Sequence, residues 1–458
     1  MSLFRTKPVN QDAYYDTGLK RCLSATDLTL LGIGAIIGAG IFVLTGVAAA
    51  TKAGPGIVLS YVVSGFACAF AALAYAELAS TVGGCGSAYG YSYAGFGEIV
   101  AWLIGWDLIL EYGVATPTVA IGWSGYVNNA LTAMGVHLPS ALLSAPGAGG
   151  MVNLPAMLVI VVLGLLLAAG VHMSARFNAA MVMVKLIAIA VFIGVAVFNV
   201  DPANWRPFMP FGWGGVMSGA ALIFFAYIGF DAVSTAAEEA VNPQRDLPIG
   251  ILASLAVCTV IYVVVSGLLT GIVPYGTLNV ASPVAEALLS LGHRGASALI
   301  AAGAIAGLTT VMLVLYYGLT RIFLAMSRDG LLPPVFAALH PSTRTPLRII
   351  LVSGICMALV AGFLPIGTVA ELVNIGTLAA FVLVCGGVMY MRHTRPELQR
   401  PFKSPLNPVI PVLGMLFCAY LMFSLPPVTW VRFFVWMALG LIIYFSYSRR
   451  HSVLALGA

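Results

Sequence analysis

Long apolar runs broken by short polar stretches set the pattern of this chain. Twelve runs reach the ~20 residues needed to cross a bilayer as helix. They lie at 28–50, 55–80, 98–131, 151–170, 177–199, 214–239, 248–273, 294–326, 348–364, 367–391, 408–425 and 428–448. Between them, 81–97 (TVGGCGSAYGYSYAGFG) is too polar to span and too apolar for a free loop. It is read as a short helix or re-entrant piece on the cytoplasmic face. PVAEALLSL, within the external stretch 274–293, reads as a short amphipathic helix.

The first run holds LGIGAIIGAGIFVLT, with Gly32, Gly34, Gly38 and Gly40 in an otherwise apolar segment. Glycine weakens a helix by ~1 kcal/mol relative to alanine and tolerates non-helical angles. Two readings stay open. Gly38-Ala39-Gly40 is a break, which survives in hydrocarbon only where it lines a cavity; or the glycines let helices pack closely. A break would expose N–H groups suited to a carboxylate and carbonyls suited to an ammonium. The sixth run has a second interruption at Ala226–Gly229. Interruptions in runs one and six, five apart, are the sign of two inverted five-helix repeats, with the site where the broken helices meet. The expected division is an arm at 1–27, repeat one at 28–199, repeat two at 214–391, helices eleven and twelve at 408–448, and a tail at 449–458.

Composition agrees with a polytopic membrane protein: 60% hydrophobic, 8% charged, mean hydropathy +1.01. No cleavage-site pattern precedes the first run, so no removable signal peptide is expected. Of the 21 lysines and arginines, Lys52, Arg206, Arg294 and Arg432 fall outside and Lys185 lies within the membrane, leaving sixteen inside. That bias places both termini in the cytoplasm. The net charge of +5 therefore reports topology and does not argue for nucleic acid. The seven cysteines are scattered, with no disulfide frame or zinc pattern.

Charges within the membrane need a reason. Lys185 stands in the fifth run, nine residues after Arg176. It is either an ammonium placed where a cation would otherwise lie, tying the first and eighth spans and able to release its proton, or a lysine snorkelling from the cytoplasmic end. Glu111, one turn after Asp107, either neutralises a cationic substrate or shares a proton, or holds helices together as a buried acid. Asp231 follows the second interruption and is a substrate ligand, a helix cap or a proton relay. Phe224, Phe225 and Tyr227 flank that interruption; Phe225 is the candidate gate, and ordinary packing is the alternative. Glu77, Glu98, Glu238 and Glu239 read as structural acids paired with arginines, and Glu371 as a charge at the start of a helix. No nucleophile or metal set stands out, so an enzyme is not expected.

Five strings, in order, carry a family resemblance: GIGAIIGAGIFVLTG, AEEAVNPQRDLPIGI, LTRIFLAMSRDGLLP, LVNIGTLAAFVLV and RPFKSPLNPVIPVLG. The chain resembles the amino acid–polyamine–organocation superfamily, and within it the cationic amino acid transporters. The resemblance implies an all-α LeuT-type fold of five plus five inverted helices with two more, twelve transmembrane helices in all. It implies a substrate carboxylate on the backbone of Ala39, Gly40 and Ile41, with Gly38 beside them in the substrate site, and its ammonium near the carbonyls of Ile36, Phe225, Ala226 and Ile228. Phe225 takes the gating place, Asp231 the acidic position after it, and Lys185 the place of a coupling lysine. The side-chain pocket would draw on positions such as Thr116, Thr310, Val314 and Leu315, which leave cationic and small neutral amino acids both open. The expected activity is import of an L-amino acid with a proton by alternating access, in a bacterial inner membrane and without a cofactor. An ion-independent exchanger of amino acids or polyamines, or a channel or amino-acid sensor, stays open, as does a small membrane subunit as partner.

Overall fold

The computed structural model describes residues 3–7, 23–82, 88–170, 175–341 and 345–456. Most of the expected arm (8–22), the GGCGS part of the link (83–87), Arg344, and the side chains of Arg176 and Glu238 lie outside the described residues.

The twelve expected spans appear as helices, with no strand among the described residues. Among the described residues, eight helical stretches are long and apolar enough to cross a membrane; one of them, Ala25–Thr81, holds the first two spans. Three shorter apolar helices, Leu154–Ala168, Leu347–Phe363 and Val409–Phe423, supply spans four, nine and eleven. Span one begins at Ala25–Ile36 behind a capping box. The Ser24 hydroxyl accepts from Asp27 N–H at 3.3 Å, and Asp27 accepts from Ser24 N–H at 2.9 Å. It resumes at Gly40–Leu44 and runs on to Ala49–Ala53. Span two is Ile57–Thr81, three Glu98–Ala133, five Ala175–Ala196, seven Pro243–Ile272, eight Arg294–Arg328, ten Ile366–Thr394 and twelve Pro427–Ile443. Span three has 36 residues, ~54 Å of helix against ~30 Å of hydrocarbon, so it projects beyond the core.

Neighbour relations follow a pattern. Span seven lies along spans one and two, and span two along the first half of span six. Span three runs beside spans eight and ten, span eight beside span five, and span nine beside span four. Exchanging each span with the one five places on maps these pairings onto one another. Spans eleven and twelve lie outside the pattern and pack on span ten.

The link after span two forms the helix Ala88–Gly95, with Tyr89, Tyr91 and Tyr93 buried. This is why a stretch with so many glycines is rich in tyrosine: it is interior. Gly97 turns the chain into span three at φ +94°, and a Cβ there would come within 2.7 Å of the Phe4 backbone. The expected external helix is Pro283–Ser290, with Val284, Ala285, Ala287 and Leu288 turned inward. Both ends of the described chain meet at Asp329: Lys7 Nζ donates to its carboxylate at 2.7 Å, and Val453 N–H to its carbonyl at 3.0 Å. An even number of crossings requires ends on one side.

The acids at the polar ends are structural. Glu77 is gripped by Arg392 (2.5 Å) and Arg400 (3.7 Å), Glu98 faces Arg5 at 3.8 Å, and Glu239 faces Arg321 at 4.0 Å. Glu371 accepts from the Thr429 hydroxyl at 3.0 Å.

Candidate functional site

Span one is interrupted, one to two residues earlier than Gly38-Ala39-Gly40 suggested. Ile37 turns extended (φ −73°, ψ 96°), while Ala39 is helical again and Gly40 opens the next turn. The bend falls on Ile37 and Gly38, so it includes the first of the three expected residues and leaves Ala39 and Gly40 helical. Gly40 is glycine for another reason. A Cβ there would overlap the backbone of Ala226 in span six. Close packing and interruption, posed as alternatives, are both present.

Span six ends its first helix at Ile223, passes through the tight turn Phe224–Tyr227, and extends at Ile228 (ψ 133°). Gly229 takes φ +122°, which only glycine adopts readily. A Cβ on Gly229 would come within 2.9 Å of the Ala35 backbone. The two interruptions therefore touch at Gly40–Ala226 and at Gly229–Ala35, backbone against backbone.

Interrupted helices in hydrocarbon must have their polar backbone groups satisfied, and side chains from spans three, seven and ten, with Lys185 of span five, do this. Tyr262 of span seven donates its hydroxyl toward the carbonyls of both Ile36 and Ala226, at 2.9 Å each. Asn374 of span ten donates to Ala221 and Leu222 carbonyls at 2.7 and 2.9 Å. Tyr126 of span three donates to the Phe42 carbonyl at 2.8 Å. Within span one, the Thr45 hydroxyl donates to Gly40 at 3.0 Å and lies 2.6 Å from the Tyr61 hydroxyl. The opening N–H groups at Ala39, Gly40 and Ile41 have no acceptor supplied by helix geometry itself.

Lys185 is fully buried, and its ammonium donates to the carbonyls of Gly34 (2.7 Å) and Ile37 (3.0 Å). The snorkelling reading is thereby overturned: the side chain points at the first interruption and not toward the membrane surface. The tie to span eight is steric. Its stem crosses Gly307, where a Cβ would sit 2.7 Å from Lys185 Cε.

Asp231 is 5% exposed and accepts from Tyr112 Oη and from Gly229 N–H, both at 3.2 Å. Its carboxylate thus bonds back to the interruption. Glu111 is buried beside Thr377 of span ten and within electrostatic reach of Asp231. Asp107, one turn earlier, lies against Gly376, the neighbour of Thr377 in span ten, and stays within electrostatic reach of Glu111.

Of the three aromatics at the second interruption, Phe224 packs edge-on to Phe381 (5.7 Å), and Tyr227 sits between Tyr61 and Tyr262. Phe225 is 6% exposed and has no ring partner among the described residues. Toward the wall, Val311 of span eight approaches Gly38 most closely, 3.4 Å from a Cβ there. Thr310 and Thr116 bond within their own helices, to Gly307 and Tyr112 carbonyls. Thus Val311 is the span-eight side chain shown against the break, next to Thr310 and one helical turn before Val314 and Leu315. Tyr262, Asn374 and Tyr126 were also missed. Each stands among other polar residues of its run, so no sequence signal singles it out.

The sequence model of the amino acid permease family matches residues 23–445. The chain is 50% identical over 457 residues to a methylthioribose transporter of Bacillus subtilis, covering 99% of both. It is 51% identical over 461 residues to the branched-chain amino acid permease of the same species, again covering 99% of both. Human cationic amino acid transporter 4 is 36% identical over 410 residues, 88% of this chain and 64% of that protein.

Proposed function

The chain belongs to the amino acid permease family, and from that premise we propose that it is a secondary active transporter importing an L-amino acid with a proton. The observation that carries the reading is the meeting of two interrupted helices at Gly40–Ala226 and Gly229–Ala35. A zwitterion needs donors and acceptors on opposite sides of a small gap. The opening N–H groups at Ala39, Gly40 and Ile41 suit its carboxylate, and the carbonyls of Ile36, Phe225, Ala226 and Ile228 its ammonium. Two of these carbonyls now accept from one hydroxyl, Tyr262. A bound ammonium would compete for the same lone pairs, which links occupancy to the position of span seven. Phe225, with no ring partner among the described residues, is the side chain that closes over the gap.

Lys185 supplies the proton. Its ammonium on Gly34 and Ile37 holds the first interruption in its present shape, and loss of the proton would release one of the groups that fix it. Accumulation then depends on the pH difference, by a rocking of the interrupted helices against the other spans. The two groups of five spans act as inverted copies, a reading supported by their interchangeable neighbours. The positive-inside bias orients both termini to the cytoplasm, and the bacterial relatives suit an inner membrane.

An apolar wall at Val311, with Asp231 already bonded to Tyr112 and Gly229, favours neutral aliphatic substrates over cationic ones. A thermal-shift screen of purified protein against the twenty amino acids and methylthioribose tests this. Stabilisation by leucine, isoleucine, valine or alanine is expected. Stabilisation only by lysine, arginine or methylthioribose would overturn the substrate assignment.

A further inference from the structure

A cavity of about 390 Å³ lies between spans three, ten, eleven and twelve, away from the two interruptions. Its walls are apolar, among them Leu103, Leu383, Met422, Trp430 and Phe433. Phe423, 75% exposed, and Leu383, 37% exposed, stand at its rim, so it opens sideways to where lipid would be. One charged residue lines it: Asp107. That side chain is 3% exposed, and its Oδ1 has no hydrogen-bond partner among the described residues. Gly376 of span ten makes room for it, since a Cβ there would come within 2.5 Å of Oδ1. An unpartnered carboxyl in an apolar chamber is costly, several kcal/mol if charged. The lining residues bring no basic group to it.

We propose that this chamber binds a lipophilic amine, its alkyl body between spans three, ten, eleven and twelve and its ammonium on Asp107. The apolar walls take the chain, the carboxyl takes the cation, and the lateral mouth gives entry from the bilayer. At ~30 Å³ per heavy atom the volume holds roughly a dozen such atoms, which matches a decyl amine. The site is independent of the amino acid reading and would stand without it.

The test uses the full-length protein in nanodiscs, titrated with n-decylamine and, separately, n-decanol, following tryptophan fluorescence with Trp430→Phe to assign the signal. Decylamine should give a saturable change beyond the linear partitioning seen in empty nanodiscs. Its affinity should fall at least tenfold in Asp107→Asn. Ala419→Phe, which fills the chamber and leaves Asp107 in place, should abolish saturation. Decanol should not saturate. Equal affinity in Asp107→Asn, saturation by decanol at the same concentration, or no saturable response to decylamine would each overturn the proposal.

Discussion

Lys185→Met is the sharpest perturbation of the coupling reading. Methionine keeps most of the stem that crosses Gly307 and removes the ammonium that bonds the Gly34 and Ile37 carbonyls at 2.7 and 3.0 Å. A hydrogen bond to a charged group contributes ~1.5–3 kcal/mol, so two such bonds amount to about 3–6 kcal/mol of stabilisation specific to this arrangement. Against this stands the desolvation of a buried ammonium, several kcal/mol in the opposite sense. Overall stability should therefore change little, and melting temperature is a poor assay. The balance between conformers is the better readout, because a state-specific loss of even ~3 kcal/mol is on the order of a hundredfold in an equilibrium constant. The protein is reconstituted in liposomes, with membrane potential clamped, and loaded with the amino acid that stabilises it best. One pH unit across the membrane is worth about 1.4 kcal/mol per proton, so one-to-one symport by the wild type should concentrate substrate about tenfold. Lys185→Met should retain counterflow and give an accumulation ratio near one. A variant that still concentrates substrate about tenfold under the same gradient would refute the assignment of Lys185 to proton coupling. Wild-type protein that accumulates nothing under a pH gradient would refute symport itself.

Other consequences follow from the same contacts. Gly40→Ala places a methyl group on the Ala226 backbone, and overpacking of this kind costs ~1–3 kcal/mol or more; purified protein should lose counterflow while still inserting in the membrane. Gly229→Ala combines a contact with Ala35 and a φ of +122°, so it should be the more damaging of the two by thermal shift. Tyr262→Phe removes the one hydroxyl hydrogen that the Ile36 and Ala226 carbonyls share, ~0.5–1.5 kcal/mol; it should alter substrate affinity while pH-driven accumulation persists, and loss of coupling equal to that in Lys185→Met would contradict the separation of roles. Glu77→Ala leaves Arg392 and Arg400 without their shared carboxylate; breaking such a pair costs ~3–5 kcal/mol, read as a clear fall in melting temperature with substrate selectivity unchanged.

The membrane architecture was legible because bilayer physics acts on composition and length. Twelve apolar runs of the required length leave little freedom, and the run boundaries matched the helix ends to within a few residues in most spans. Runs one and six announced themselves by glycines and by Asp231, and Lys185 by the cost of a charge in hydrocarbon. What the chain alone did not reveal is which partner satisfies which group. Tyr262, Asn374 and Tyr126 reach the interruptions from 36 to 226 positions away in sequence. A span apolar on every side has no polar face to say where it points. The same lack of a face hid Val311, which stands one helical turn before Val314 and Leu315 and approaches Gly38. The bend at Ile37 was likewise decided by packing. Gly40 is helical where it meets Ala226, and the bend falls on Ile37 and Gly38 before it. Local composition thus determined where the backbone can break, and the assembled bundle decided where it does, because only there are the freed carbonyls and amides met by side chains from other spans.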